Sequence, residues 1–195
     1  MTKAERTRQF IIEQAAPLFN TKGVAGTAMS DIMEATKMAK GGLYGHFESK
    51  EELSYAVVDY SLNLLADKLT LALSKAATQK DKLFAFVDFW SKPNQCHLQG
   101  GCPMMNFGME ADDTNPVIRQ KIKANIEGSI ELIKCIISTG IANGEFKADW
   151  DAKEFAIRVF AMMEGGTMIS RVIGNDDFMA IITKSLKREI ENQVV

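Results

Sequence analysis

The sequence predicts an all-α protein, because apolar residues recur at helical spacing in almost every segment and no segment alternates with a period of two. The composition is that of a globular protein: 46% of the 195 residues are hydrophobic and 25% are charged. Disordered and fibrous classes are therefore excluded. No window approaches the roughly 18 apolar residues of a membrane span, and no apolar run follows the first nine residues as in a signal peptide. We expect a cytoplasmic protein with no membrane partner.

Three short helices are predicted in the first 49 residues. Apolar residues between Ile11 and Phe19 form the stripe of the first helix, which Gly23 ends. Thr27 caps a second helix, and a third, very short one runs through Phe47 after a tight turn. This order predicts a helix-turn-helix, in which the third helix lies in the major groove of DNA.

About six helices are predicted after this region. Ser49 and Glu52 form a capping box that opens the first of them at Lys50. The others follow from apolar periodicity and from stop signals such as Pro93 and Gly144. These others cover about residues 80–90, a short stretch after residue 103, and residues 116–143, 151–172 and 176–192. The sequence is therefore divided into a DNA-binding domain, 1–49, and a ligand-binding and dimerisation domain, 50–195.

The charge is unequal along the chain. Residues 1–50 contain seven basic and five acidic residues, and residues 51–195 contain the other 16 basic and 20 acidic residues, so the two parts carry +2 and −4. This asymmetry indicates that the N-terminal part faces an anion. The phosphates of double-stranded DNA are the anion that a helix-turn-helix meets.

The segment from Thr27 to Leu53 resembles the DNA-binding domain of the TetR family of bacterial repressors. Three groups carry the match: Asp31-Ile32, then Lys40-Gly41-x-Leu43-Tyr44-x-His46-Phe47, then Ser49-Lys50-Glu51-Glu52-Leu53. The resemblance implies a homodimer with one helix-turn-helix per subunit and an effector-binding domain behind it. Lys37 stands at the turn position that the family usually gives to glycine, so we expect about 1 kcal/mol of strain there.

The predicted DNA-binding residues come from this segment. They are Thr27, Lys40, Gly41, Gly42, Tyr44, His46 and Lys50. The two glycines let the backbone approach DNA closely, and Lys40 is long enough to reach a base or the adjacent phosphate. Tyr44, His46 and Lys50 supply phosphate donors. Alternative interpretations remain open: Tyr44 as a core aromatic residue and His46 as a solvated surface residue.

A second constellation runs from Gly100 to Glu110. Its Gly-Gly-Cys-Pro sequence is similar to that of a subset of TetR-like regulators, in which it leads into a short helix beneath the ligand cavity. The predicted cavity residues are Phe86, Phe89, Trp90, Cys102, Met104, Met105, Phe107, Met109, Phe160 and Met163. Methionine and aromatic side chains suit an adaptable pocket for an apolar effector. The alternative is that they are ordinary core residues.

Cys102 raises a second hypothesis, a redox or electrophile sensor on the same scaffold. A helix N-terminus favours the thiolate, but the apolar neighbours raise the thiol pKa and no cationic side chain is near in sequence. We therefore expect Cys102 to line the cavity without acting as the sensor. Cys96, His97 and Cys102 lack the spacing of a zinc site, so no metal is predicted.

The last two predicted helices carry apolar stripes. The stripes are Phe155, Val159, Met162, Gly166 and Ile169, followed by Met179, Ile182, Leu186 and Ile190. We expect them to pack against their symmetry mates as a four-helix bundle, which makes the protein a homodimer.

The resulting hypothesis is a DNA-binding transcriptional repressor that a small, apolar effector releases from its operator. No catalytic or cofactor-binding motif appears in the sequence, so neither an enzyme nor a cofactor is predicted. A helical ligand-binding protein that has lost DNA recognition is a more distant alternative.

Overall fold

The computed structural model of the protein describes residues 1–95 and 97–195. Over this part of the chain it contains nine α-helices and one 3-10 turn, Pro93–Gln95, and no strand beyond one isolated bridge. The helices are α1 (Lys3–Gly26), α2 (Met29–Thr36), α3 (Lys40–Tyr44), α4 (Lys50–Leu73), α5 (Gln79–Phe89), α6 (Pro103–Ala111), α7 (Pro116–Ala142), α8 (Ala152–Ile173) and α9 (Asp177–Asn192). The all-α prediction, with six helices after the first three, is confirmed. None of these described helices is long and apolar enough to cross a membrane.

The chain packs as two compact units. The first comprises Met1–Leu65 and Leu98–Lys123, and the second comprises Ala66–His97 and Ala124–Val195. Packing thus groups α6 with α1, α2 and α3, because polar side chains join α6 and the loop before it to α1. The predicted division into 1–49 and 50–195 is a functional one and stays a prediction.

The first unit has a small core beneath the helix-turn-helix. Ile32 of α2, Leu43 of α3 and Phe47 are completely buried. Lys37 ends α2 with φ 56° and ψ 28°, so the turn is left-handed although its residue is not glycine. Buried side chains on both sides of this turn therefore hold it in place.

Two predicted helix ends differ in the structure. Ala28, and not Thr27, is the N-cap of α2, and its N–H donates to the Asp31 carboxylate at 3.2 Å. The third helix ends at Tyr44, three residues before the predicted end. Its five residues include two glycines and a third follows it, and glycine is costly in a helix because it loses the most backbone freedom.

The capping box that opens α4 is present in altered form. The Ser49 hydroxyl accepts the Glu52 N–H at 3.0 Å, as predicted. The Glu52 carboxylate accepts the N–H of Glu48 at 2.8 Å, one residue before the expected partner. Both groups still satisfy N–H donors at the start of a helix.

The second unit is built from α5, α8 and α9 together with parts of α4 and α7. The apolar stripes that were predicted to form the dimer interface pack within one chain instead. Five of their residues are buried there: Phe155, Val159, Met179, Leu186 and Ile190. The prediction that these residues pack against their symmetry mates is therefore wrong. The reason is that α9 packs on both α5 and α8, so the inner faces of the last two helices are already covered.

Candidate nucleic-acid interface

Helix α3, the predicted recognition helix, presents most of the predicted DNA-binding residues to solvent. Lys40, Gly41, Gly42 and Tyr44 are exposed, whereas Leu43 is buried and fixes the helix to the core. A side chain added at Gly41 would meet nothing within 4 Å, so the backbone is open to a partner there. The Lys40 ammonium lies 5.7 Å from the centre of the Tyr44 ring. The Lys40 ammonium, the Tyr44 phenol and the accessible backbone of Gly41 therefore lie on one short helix.

Lys50 has a structural role that the sequence does not reveal. Its ammonium donates to the carbonyl oxygens of Val24 at 2.8 Å and of Thr27 at 3.1 Å. These bonds satisfy carbonyls at the C-terminal end of α1. A lysine ammonium has three N–H donors, so one remains for a phosphate.

Thr27 is placed differently from the prediction. Its side chain is 1% exposed, and its hydroxyl donates to the carbonyl oxygen of Gly23 at 2.7 Å. A buried hydroxyl that is already bonded within the chain cannot reach a phosphate. Thr27 is therefore removed from the set of DNA-binding side chains.

Arg8 is a residue at this site that the sequence reasoning missed. Its guanidinium lies 3.9 Å from the centre of the Phe47 ring, donates to the His46 carbonyl oxygen, and pairs with Glu52 at 2.8 Å. The hydrogen bond from Arg8, aided by the N–H of Glu48, holds the pKa of Glu52 below its ordinary value. Arg8 and Glu52 are 44 residues apart, so no local pattern marks the pair.

A network of amides joins α1 to the loop before α6. Asn20 is buried, and its Nδ2 donates to the carbonyl oxygens of Gln99 at 2.8 Å and Gly101 at 3.1 Å. Asn106 Nδ2 donates in turn to the carbonyl oxygens of Asn20 at 2.8 Å and Gly100 at 3.0 Å. Gly100 has φ +98°, and a Cβ there would lie 2.5 Å from the Asn20 carbonyl oxygen. This close approach gives the first glycine of the Gly-Gly-Cys-Pro sequence a structural reason.

Glu110 makes the second connection between α6 and α1, and it too was missed. Its carboxylate accepts the N–H groups of Val24 at 2.8 Å and Ala25 at 2.7 Å. These amides become available because Gly23, with φ +77°, interrupts α1 just before them. The last turn of α1 is thus held by a carboxylate from α6 and by the Lys50 ammonium from α4.

The predicted effector residues fall in both units. In the second unit, Phe86 and Met163 are buried, and Phe89, Trp90 and Phe160 are half-buried. The Phe89 ring stacks on His97 with 3.7 Å between ring centres and meets Trp90 edge-on at 5.1 Å. The rings of Phe89, Trp90 and His97 therefore form one cluster.

The α6 residues of the predicted cavity do not share one face. Met104 and Phe107 are buried and Met105 is half-buried, but Met109 is 73% exposed. The helical period puts Met109 opposite the face formed by Met104, Phe107 and Ala111. Met109 is therefore corrected from a cavity residue to a surface residue.

Cys102 is the N-cap of α6 and Pro103 is its first residue, where the sequence places them. The Cys102 side chain is 5% exposed. Cys96 lies outside the described residues. Within the described part of the chain, no three His, Cys, Asp or Glu side chains come together as metal ligands.

Family models match both parts of the chain. Residues 11–57 match the model described as bacterial regulatory proteins, tetR family. Residues 80–186 match the model described as Tetracyclin repressor-like, C-terminal domain. The first match contains the whole helix-turn-helix, and the second contains all but the first residue of α5, the whole of α6 to α8 and much of α9.

Curated relatives and solved structures agree with these matches. The chain is 25% identical to the HTH-type transcriptional repressor DhaR of a Mycobacterium species, over 95% of this chain and 94% of that protein. It is 29% identical to the HTH-type transcriptional regulator TtgR of Pseudomonas putida, over 84% of this chain and 79% of that protein. A TetR transcriptional regulator from Chloroflexus aurantiacus superposes with a TM-score of 0.94 at 40% identity, covering 100% of this chain and 98% of that one. A TetR-family transcriptional regulator from Cytophaga hutchinsonii superposes with a TM-score of 0.92 at 36% identity, covering 100% of this chain and 98% of that one.

Proposed function

Because the chain belongs to the TetR family of bacterial transcriptional regulators, we propose that it is a repressor that a small, apolar effector releases from its operator. The observation that carries the DNA half is the exposed face of α3, where Lys40, Gly41 and Tyr44 stand over the buried anchor Leu43. Regulators of this family bind operator DNA and act as dimers. His46 and Lys50 are the further phosphate donors of the proposal.

The effector half rests on the apolar side chains of the second domain. Phe86, Phe89, Trp90 and Met163 lie in one unit and offer ring faces and a flexible thioether to an apolar molecule. Phe160 belongs to the same proposal. We also propose that Cys102, the N-cap of α6, and Met104, Met105 and Phe107 of α6 contact the effector, as the resemblance to the subset with a Gly-Gly-Cys-Pro sequence implies. A cytoplasmic location, where DNA and effector meet, is part of this proposal.

The proposed coupling runs along α6. An effector that displaces Met104 or Phe107 moves the helix that carries Glu110, and Glu110 holds the last turn of α1. The released conformation must bind the effector better than the DNA-bound one, by about 3–5 kcal/mol for a clean switch. The two recognition helices of the dimer then no longer match successive major grooves, about 34 Å apart.

The proposed dimer face lies on the outer sides of α8 and α9. Ile157, Met168 and Val172 are exposed along one side of α8, and Phe178 and Ile181 are exposed on α9. A side chain added at Gly165 of α8 would meet nothing within 4 Å. Exposed apolar residues at helical spacing on two neighbouring helices are suited to a four-helix bundle with a second copy.

The test begins with DNA. Duplexes that the protein enriches from a random library are expected to contain two half-sites about one helical turn apart and to be protected in footprinting. Small apolar compounds that raise the melting temperature of the protein are then tested for release of that duplex. Absence of sequence-selective binding contradicts the repressor, and compounds that bind without releasing DNA contradict the effector mechanism.

Lys50→Ala tests the phosphate contact. The substitution is expected to weaken binding to operator and to random DNA about equally, and to lower the slope of log K against log salt by about one. The measurement is fluorescence anisotropy over a salt series. Lys134→Ala is the matched control, since Lys134 lies on α7, outside the helix-turn-helix, and its 41% exposed side chain pairs with Glu131 at 2.9 Å. An unchanged slope in Lys50→Ala would confine Lys50 to its role at the end of α1.

Cys102→Ser tests the place of the thiol. Because Cys102 is buried at the start of α6, the variant is expected to bind operator and to respond to the apolar effector as the wild type does. The readouts are operator affinity and its loss on effector titration, with diamide as a parallel treatment. Loss of the response with intact DNA affinity would favour the redox or electrophile sensor.

A further inference from the structure

The recognition helix depends on its surroundings for its orientation. It is five residues long and contains Gly41 and Gly42, and Gly45 follows directly. A helix this short has no stability of its own in water, because nucleation is unfavourable and glycine is a poor helix former. Leu43 and Phe47 anchor it from below. Beyond its C-terminal end, the chain passes through the exposed Gly45 and the half-buried His46 before it reaches Phe47.

Arg8 of α1 constrains this segment through three different contacts. Its guanidinium stacks on the Phe47 ring at 3.9 Å, donates to the carbonyl oxygen of His46, and pairs with Glu52 at 2.8 Å. The contacts engage a side chain before α4, the backbone just after α3, and the first turn of α4. A planar, forked guanidinium can stack and donate in two directions at once, which a lysine ammonium cannot.

Glu52 holds the same segment from the other side. One of its oxygens accepts from Arg8, and the other accepts the Glu48 N–H at 2.8 Å. The turn between α3 and α4 is therefore bonded at His46 by Arg8 and at Glu48 by Glu52. Because the two charges compensate each other, little of the Arg8 charge is left for DNA.

We propose that Arg8, together with Glu52, is a positioning residue for operator recognition. It sets the angle at which α3 meets the base edges, so it acts on discrimination between DNA sequences and does not contact a phosphate. A misplaced recognition helix loses base contacts but keeps the contacts to the uniform phosphate backbone. The proposal rests on DNA binding by α3 and adds a residue outside the helix-turn-helix.

Arg8→Ala separates these two roles. Binding is measured to the duplex that the wild-type protein enriches from a random library and to a scrambled duplex of the same length and composition. We expect affinity for the enriched duplex to fall 10-fold or more, affinity for the scrambled duplex to change less than 2-fold, and the salt slope to stay the same. Arg6→Ala is the matched control, because Arg6 is an exposed arginine on the same helix, and it is expected to leave the ratio of the two affinities unchanged.

Two conservative variants keep the test decisive if Arg8→Ala unfolds the domain. Arg8→Lys retains the charge but loses the fork, so we expect most of the loss of discrimination to persist. Glu52→Gln removes a negative charge from a DNA-binding domain, which by charge alone strengthens DNA binding. If Glu52 positions α3, Glu52→Gln is instead expected to weaken binding to the enriched duplex about 3-fold. Circular dichroism and thermal unfolding verify that each variant is folded.

The outcomes that overturn the proposal are specific. A salt slope lower by about one in Arg8→Ala, with equal losses on both duplexes, makes Arg8 a phosphate contact. The positioning role is also refuted if Arg8→Lys discriminates between the two duplexes as the wild type does, or if Glu52→Gln binds the enriched duplex more strongly. A wild-type protein that enriches no duplex would instead refute the DNA-binding function, so the two failures are distinguishable.

Discussion

Ile181→Glu is expected to convert the dimer into a monomer at micromolar concentration and to reduce operator affinity at least 100-fold. Ile181 is 69% exposed on α9, and Val172 is 79% exposed on the neighbouring helix α8. In a symmetric interface the substitution occurs twice, and each buried carboxylate costs several kcal/mol without a partner. A monomer reaches only one half-site, so most of the operator affinity is lost with the dimer. Sedimentation equilibrium and anisotropy measure the two effects.

Two control variants sharpen this test. Leu71→Glu makes the same change at a residue of α4 that is 62% exposed and outside α8 and α9, and it is expected to remain dimeric. Leu186→Glu places the charge on the buried face of α9 and is expected to unfold the domain, which thermal unfolding distinguishes from dissociation. If Ile181→Glu remains a dimer, the outer face of α8 and α9 is not the interface.

The dimer face shows what periodicity can and cannot predict. Both sides of α8 carry apolar residues: Phe155 and Val159 are buried in the chain, whereas Ile157 and Val172 are exposed. The spacing of apolar residues correctly predicts the helix and its inner stripe. It cannot say which stripe faces the same chain, because that depends on where α9 and α5 lie. The sequence alone therefore predicts, wrongly, that the inner stripe faces the partner.

The DNA-binding surface was predictable where its signals are local. The exposed residues of α3 and the Ser49 cap follow from short sequence spacings, and the left-handed turn at Lys37 follows from the resemblance to the family. The residues that hold this surface in place do not. Arg8 meets Glu52 across 44 positions, and Glu110 meets Val24 across 86. Side chains so far apart in sequence leave no periodic trace, and only the fold brings them together.

The burial of Thr27 has a different cause. A threonine before a short helix is a good N-cap by propensity, and the sequence offers no sign that its hydroxyl has a closer acceptor. In the structure, α1 is interrupted at Gly23, and the Gly23 carbonyl oxygen lies 2.7 Å from the Thr27 hydroxyl. A backbone conformation thus outweighs the local preference, and Asp31 takes over the capping role from inside α2.

Gly100→Ala is expected to destabilise the protein by about 3 kcal/mol, through backbone strain of about 1 kcal/mol and a steric clash of about 2 kcal/mol. Gly100 has φ +98°, and the new Cβ would lie 2.5 Å from the Asn20 carbonyl oxygen and 2.8 Å from its carbonyl carbon. Since both atoms belong to the backbone of α1, no side-chain rotation relieves the contact. The loop before α6 must therefore move away from Asn20.

Gly144→Ala isolates the steric part of this effect. Gly144 also has a positive φ, +71°, but a Cβ there meets nothing within 4 Å, so only the backbone strain of about 1 kcal/mol is expected. Urea unfolding of the two variants gives the difference, about 2 kcal/mol, as the cost of separating the loop from α1. Because Asn20 Nδ2 donates to the carbonyl oxygens of Gln99 and Gly101, Gly100→Ala is also expected to break these bonds and to speed the hydrogen exchange of the Asn20 side-chain amide. Equal destabilisation by both substitutions would mean that the loop is not tightly packed against α1.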